Sequence, residues 1–301
     1  MDIMMIIKRI WNGFWYCFHD YWIEAADPRT RHFPLIESGP EPVIIILLIY
    51  LLFVKLIGPW FMSDRPPFIL RIPMLIYNIS MVIINLFLFT FITSRIDYGR
   101  RFLNFKFPDV NDFTPETIYE IRIGYICYLT RWADLLDTVF FVLRKKQQQI
   151  TFLHIYHHTL VPLIGWMTVK IAPQAPVVGL FLMLNTFIHS IMYLYYALAA
   201  FGPEIQKYLW WKKYITQLQL LQFTICGIYG IIMVFLQEGF PPGLFWLGFA
   251  QNPFFFYMFY EFYQKSYRKK QLQQQQQQQQ QEQKQRQFDL ANNKNFCVYR
   301  E

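Results

Sequence analysis

ITFLHIYHHTLVPLIGWMTV, residues 150–169, decides how the chain is built. It holds no Asp, Glu, Lys or Arg, and at 1.5 Å per residue a helix of this length spans about 30 Å, the thickness of a bilayer's hydrocarbon core. Three of the chain's six histidines, His154, His157 and His158, fall within five of its positions. At i, i+3 and i+4 they share one helical face. Imidazoles at membrane depth are costly, and three on one stripe exceed what packing asks for. The stripe therefore reads as the wall of a polar cavity rather than as satisfied core.

The rest of the chain fits a polytopic membrane protein. Of 301 residues, 54% are hydrophobic and only 16% are charged, against about 25% charged in a soluble domain. The net charge is +8. In such a chain this reflects basic loops facing anionic lipid, and nucleic acid is not an expected partner. Cys17, Cys127, Cys226 and Cys297 are scattered without ligand spacing, and Cys127 and Cys226 read as small buried residues. Lys8 and Arg9 interrupt the first sixteen residues, so no cleavable signal is read there.

The expected fold is all-α, with seven transmembrane helices at about 43–62, 72–92, 121–143, 150–169, 177–201, 214–236 and 244–263. Residues 1–42 form an N-terminal segment with an interfacial helix, because Trp11, Phe14, Trp15, Phe18 and Trp22 make one aromatic stripe. Residues 43–263 are the membrane domain. Residues 264–301 are a glutamine-rich tail of disordered composition. The Asn78-Ile79-Ser80 sequon lies inside a span and is discounted. Seven spans put the termini on opposite sides. The side holding the C-terminus carries sixteen Lys and Arg against nine, or twelve against nine without the last four of the tail. That bias makes the C-terminus cytosolic and the N-terminus lumenal.

Four consecutive spans carry polar stripes. The third has Arg131, Asp134, Asp137 and Thr138. Arg131 and Asp134 pair as i, i+3 neighbours and serve as a helix tie or as site residues equally well, whereas Asp137 is expected to partner a histidine. The fifth has Asn185, His189, Met192, Tyr193 and Tyr196 on one face, and the sixth has Thr216, Gln219 and Gln222, where glutamines also commonly bridge helices. Together they outline a polar chamber one to two helical turns deep. Its rim carries Arg144, Lys145, Lys146, Lys212 and Lys213, suited to a polyanionic headgroup. A seven-span receptor or transporter has little reason to gather four histidines and three charges there. Four imidazoles could hold one zinc but not the ligand set of a di-iron desaturase, and metal-free acid/base or nucleophilic work is the other use of such a cluster.

The motifs resemble one family, the fatty acid elongases. Arg131-x-x-Asp134-x-x-Asp137-Thr138 is similar to their K-x-x-E-x-x-D-T box, with Arg for Lys and Asp for Glu. His154-x-x-His157-His158 is similar to their histidine box. Asn185-x-x-x-His189-x-x-Met192-Tyr193-x-Tyr195-Tyr196 and Thr216-x-x-Gln219-x-x-Gln222 resemble the third and fourth, in the same order.

The resemblance implies a very-long-chain 3-oxoacyl-CoA synthase of the endoplasmic reticulum membrane, six of whose seven helices enclose an acyl tunnel. Its substrates would be acyl-CoA and malonyl-CoA, with no metal and no cofactor of its own. Its partners would be membrane lipid and the 3-ketoacyl-CoA reductase, dehydratase and enoyl reductase of the same cycle, and a homodimer is compatible with it. His157 is the implied nucleophile and His189 its partner across the chamber. His154, His158 and Asp137 would tune tautomers and charge. Asn185 and Gln219 would hold a carbonyl, and the basic rim would take the CoA phosphates. Arg131, Asp134, Thr138, Tyr193, Tyr196 and Gln222 complete the implied substrate site. The dilysine-type ending of many members is missing here, since the chain ends Val298-Tyr299-Arg300-Glu301.

Overall fold

The computed structural model describes residues 3–95, 97–240, 242–268, 272 and 275–286. Helices dominate, and among the described residues the only ladder contact is an isolated bridge between Lys106 and Glu238. Helix is what such apolar runs must adopt wherever no water can satisfy the backbone.

The elements in order are α1 (Ile3–Trp15), continued by π-helical Tyr16–Asp20 and by Tyr21–Glu24; α2 (Glu41–Met62), with a π turn at Phe53–Ile57; α3 (Arg71–Arg95); α4 (Pro115–Ala133); α5 (Leu135–Leu143); α6 (Phe152–Ile171); α7 (Pro176–Ala200); α8 (Lys212–Leu236); and α9 (Pro242–Tyr263). Four of these, α2, α3, α7 and α8, are long and apolar enough to cross a membrane. The third expected span is divided at Asp134, which caps α4 and opens α5.

The packing order is circular. α3 lies along α7, α7 on α8, α8 on α9, α9 on α6, α6 on α4, and α4 back on α3, with α2 outside against α5 and α6. Glycines permit close approaches between helices. A Cβ on Gly165 of α6 would come within 2.9 Å of Tyr128 on α4, and one on Gly58 of α2 within 2.6 Å of Val142 on α5. The α3–α4 seam is looser and holds an apolar cleft of about 510 Å³ lined by Met81, Phe87, Ile126 and Leu129.

The two ends of the bundle are built differently. At one end the stops of α2, α5 and α7 meet the starts of α3 and α8. The Phe68 amide donates to the Leu143 carbonyl (3.0 Å), Arg71 Nη2 to Phe201 (3.0 Å), and Tyr195 packs edge-on against Trp211. At the other end residues 25–40 fold over α4 and α6. The carbonyls of Pro34, Leu35 and Ser38 accept from Tyr125, Trp166 Nε1 and Lys170 Nζ. Beside them Asp27 and Arg29 form a fully buried bidentate pair, and Arg29 also reaches Asp109 and Gln174.

One sequence expectation changes here. Lys170, one of the nine cations counted on the N-terminal side, is 1% exposed, because the carbonyls of Ile36 and Ser38 accept from its Nζ and replace its water. Residues 275–286 of the glutamine run are helical and exposed throughout. Glutamine, lysine and arginine are good helix formers even where composition gives no core to pack on.

Candidate active site

Arg131 is the node of the site. Its Nη1 lies 3.1 Å from Asp134 Oδ2, donates to Asn185 Oδ1 (3.0 Å) and stands 2.9 Å from Nδ1 and 3.2 Å from Nε2 of His189. Its Nη2 donates to Thr130 Oγ1 (2.9 Å) and Asn85 Oδ1 (3.3 Å). A guanidinium only donates, so His189 faces it as a neutral acceptor. Arg131 and Asp134 are 6% and 4% exposed. An isolated charge so buried would be untenable, and the pairing with full hydrogen bonding is what makes it tolerable. One helix cannot supply this set. The residues come from α3, α4 and α7, and the break after α4 leaves Asp134 at the junction with α5.

Tyr193 extends the network. Its hydroxyl is 2.7 Å from Asp134 Oδ1 and 2.9 Å from Asp137 Oδ2. With a single proton it serves one carboxylate at a time. Tyr77 of α3 lies behind it, 3.1 Å away, and donates to the Ala133 carbonyl. Asp137 was expected beside a histidine. Its partner is Tyr193 instead, because Asp137 and Thr138 are successive residues pointing in different directions on α5. Thr138 is the one that reaches the histidine face.

That face is on α6. The N-cap Thr151 accepts from the His154 amide, which fixes the helix start. His154 to His158 therefore lie roughly 3–9 Å along the helix, close to the end that carries the basic rim. His154 Nε2 is 2.8 Å from Thr138 Oγ1, and Thr138 Oγ1 is 2.8 Å from the Tyr50 hydroxyl of α2. His154 and His158 rings stand 4.2 Å apart, and His157 and His158 stand 5.5 Å apart. His157 packs edge-on against Phe255 and Phe259 of α9, and its Nδ1 is enclosed with no hydrogen-bond partner among the described residues. Pro162 has no N–H for the His158 carbonyl four residues back. From Leu153 to Gly165 every residue but buried Pro162 is half-buried and none is exposed.

The remaining expected residues lie around these two clusters. Tyr196 packs edge-on against Tyr193. Gln222 is buried and Gln219 half-buried on α8, and among the described residues neither joins the Arg131 or histidine network. At the rim, Arg144 Nη1 is 3.3 Å from Met74 Sδ and Lys145 Nζ donates to the Ser63 carbonyl. Lys146 is exposed, Lys212 lies 5.8 Å over the Tyr195 ring, and Lys213 lies 5.0 Å over Tyr214. No three His, Cys, Asp or Glu side chains among the described residues are arranged to hold a metal ion.

Sequence reading missed Tyr50, Tyr77 and Asn85. Tyr50 and Tyr77 are single polar residues in apolar runs and carry no stripe. Asn85 had a signal: it lies seven residues after Asn78, on the same buried face as Met81, Leu88 and Ile92.

The fold and site define a helical membrane protein whose interior joins a buried arginine–carboxylate–histidine network to a triple-histidine face. The chain belongs to the ELO family (GNS1/SUR4 family), whose model matches residues 35–275. It is 37% identical over 268 residues to very long chain fatty acid elongase 4 of Homo sapiens, covering 84% of this chain and 79% of that one. It is 38% identical to very long chain fatty acid elongase 7 of Rattus norvegicus, covering 84% and 89%, and 37% identical to very long chain fatty acid elongase 7 of Drosophila melanogaster, covering 84% and 78%.

Proposed function

We propose that the protein condenses a long-chain acyl-CoA with malonyl-CoA to a 3-oxoacyl-CoA, releasing CoA and carbon dioxide, in the endoplasmic reticulum membrane. The observation that carries this reading is the meeting of three separate motif stretches. Arg131, Asp134 and Asp137 are bonded to Asn185, His189 and Tyr193, and Thr138 ties the same strip of α5 to His154.

The residues divide the work as follows. A ring nitrogen of His157 adds to the acyl thioester carbonyl. The C–S bond breaks and CoA leaves as the thiol with the imidazole proton. Malonyl-CoA then loses carbon dioxide, and the resulting enolate attacks the acyl carbon. The C–N bond breaks, and His157 takes up a proton again. His157 suits this role better than His189, whose nitrogens face Arg131. With its Oδ1 on Arg131, Asn185 keeps its NH2 for a substrate carbonyl, and Gln219 is the second such donor. Tyr193, Asp137 and Asp134 hold that frame, and the Tyr50–Thr138 pair sets the His154 ring, with His158 stacked beside it.

In this reading α4–α5, α6 and α9 cross the membrane with the four apolar helices, making seven spans, and a tunnel runs between the six of them that pack in a circle. The half-buried residues of α6 are its lining. Roughly 20 Å of α6 beyond His158 is left for the acyl chain. Arg144, Lys145, Lys146, Lys212 and Lys213 receive the CoA phosphates at the cytosolic end, and residues 25–40 close the lumenal end. The protein needs no metal or nicotinamide of its own. It passes its product to a 3-ketoacyl-CoA reductase, a dehydratase and an enoyl reductase. The test is incorporation of labelled malonyl-CoA into a panel of acyl-CoAs by membranes holding wild type, His157→Ala or His189→Ala. Extension of some chain by two carbons in wild type, lost in both folded variants, is expected. Absence of malonyl-dependent extension on every chain length overturns the reading.

A further inference from the structure

The helix that begins the chain has no part in the site. α1 buries none of its residues, and Ile3 and Met4 are each 73% exposed. It also lies outside the family match. At 100° per residue, Lys8, Arg9 and Asn12 fall within one arc of about 100° that also holds Met5, while Ile3, Ile7, Ile10, Trp11 and Phe14 fall on the opposite arc. No Asp or Glu occurs from Ile3 to His19. An aliphatic and aromatic body under two cations, with Trp15 at the boundary, is the composition that binds a lipid surface.

Two contacts set the level at which the helix leaves the bundle. His19 Nδ1 is hydrogen-bonded to the Glu41 carboxylate, and Trp22 packs on Trp166. Glu41 is in the first turn of α2, immediately before its apolar run. The tether therefore holds the base of the N-terminal helix level with the start of the apolar run of α2.

We propose that α1 lies in the surface of the bilayer, its Ile, Phe and Trp face in the acyl boundary and Lys8 and Arg9 toward lipid phosphates, clamped to the first turn of α2 through His19. This rests on the membrane placement of the bundle and not on the reaction it performs.

The test uses the full chain in anionic lipid nanodiscs with Cys17→Ser and Cys297→Ser, Cys127 and Cys226 being buried. A nitroxide is placed in turn at Phe14→Cys, Asn12→Cys and Ile83→Cys, and collision with oxygen and with a water-soluble nickel chelate is measured. Position 14 is expected to meet oxygen and escape nickel, with the ratio inverted at position 12 and position 83 in hydrocarbon. Equal nickel access at 12 and 14 overturns the proposal in favour of a helix in water. Shielding of both from both reagents overturns it in favour of a contact between copies. Nickel access at position 83 removes the membrane placement itself, and the proposal with it.

Discussion

The Arg131 network and the histidine face of α6 are neighbours with opposite states of satisfaction. Around Arg131 the donors and acceptors meet one another, from Asn85, Thr130 and Asp134 to Asn185 and His189. On α6 the partners run out. His154 has Thr138, while His157 Nδ1 has none. Buried polar atoms are normally paired, and an orphan calls for an explanation, a catalytic role among them. A closed network holds position, and an open one is available for bonding. The difference supports the proposed division, with scaffold in one cluster and chemistry in the other.

The sharpest way to break that division is His157→Ala. Its Nδ1 satisfies no partner and only ring packing on Phe255 and Phe259 is lost, so Tm is expected to fall far less than in Arg131→Ala while chain extension falls by about 10³-fold or more. An equal loss of Tm would put His157 in the scaffold. Arg131→Ala should do the reverse: removing one partner of a buried pair costs about 3–5 kcal/mol, read as a fall in Tm, with activity lost through unfolding. Tyr193→Phe leaves Asp134 and Asp137 without their shared hydroxyl. The expected cost is about 1.5–3 kcal/mol for a hydrogen bond to a charged group, again in thermal melts.

Tyr50→Phe is finer. It severs the Tyr50–Thr138–His154 chain at its outer link, costing about 1 kcal/mol of stability. If the chain sets the His154 ring for catalysis, kcat drops while KM for acyl-CoA holds, whereas a purely structural tie would leave both unchanged. The smallest effect serves as a control outside both clusters. In the loop before α4, the Thr114 amide and Thr117 hydroxyl bonds hold the Asp112 carboxyl below its usual range. Stabilisation from a depressed carboxylate is full above its unfolded pKa of about 4 and disappears as pH falls through the lower folded value. Asp112→Asn should lower Tm slightly at pH 7 and not at all in strong acid.

The scaffold was partly legible in sequence and the chemistry more so. His154, His157 and His158 announce themselves because imidazole is rare in an apolar run and their spacing is helical. Arg131, Asp134, Asn185 and His189 follow the same logic. What periodicity cannot give is which stripe meets which. Asp137 and Thr138 are adjacent in sequence but serve different neighbours, Tyr193 and His154, and only the turn at Asp134 decides that. Lys170 looked like one more cation of the N-terminal side because nothing local shows that residues 36–38 fold back to cap it. Tyr50 was invisible for the plain reason that a lone tyrosine in a span is usually packing.

The most direct measurement is the acyl adduct itself. Purified protein is incubated with a long-chain acyl-CoA and no malonyl-CoA, digested and weighed by mass spectrometry. One acyl group is expected on His157, absent in His157→Ala and discharged when malonyl-CoA is added. Extension-competent protein that carries the group on His189, or carries none at all, would contradict the assignment of chemistry to the open face.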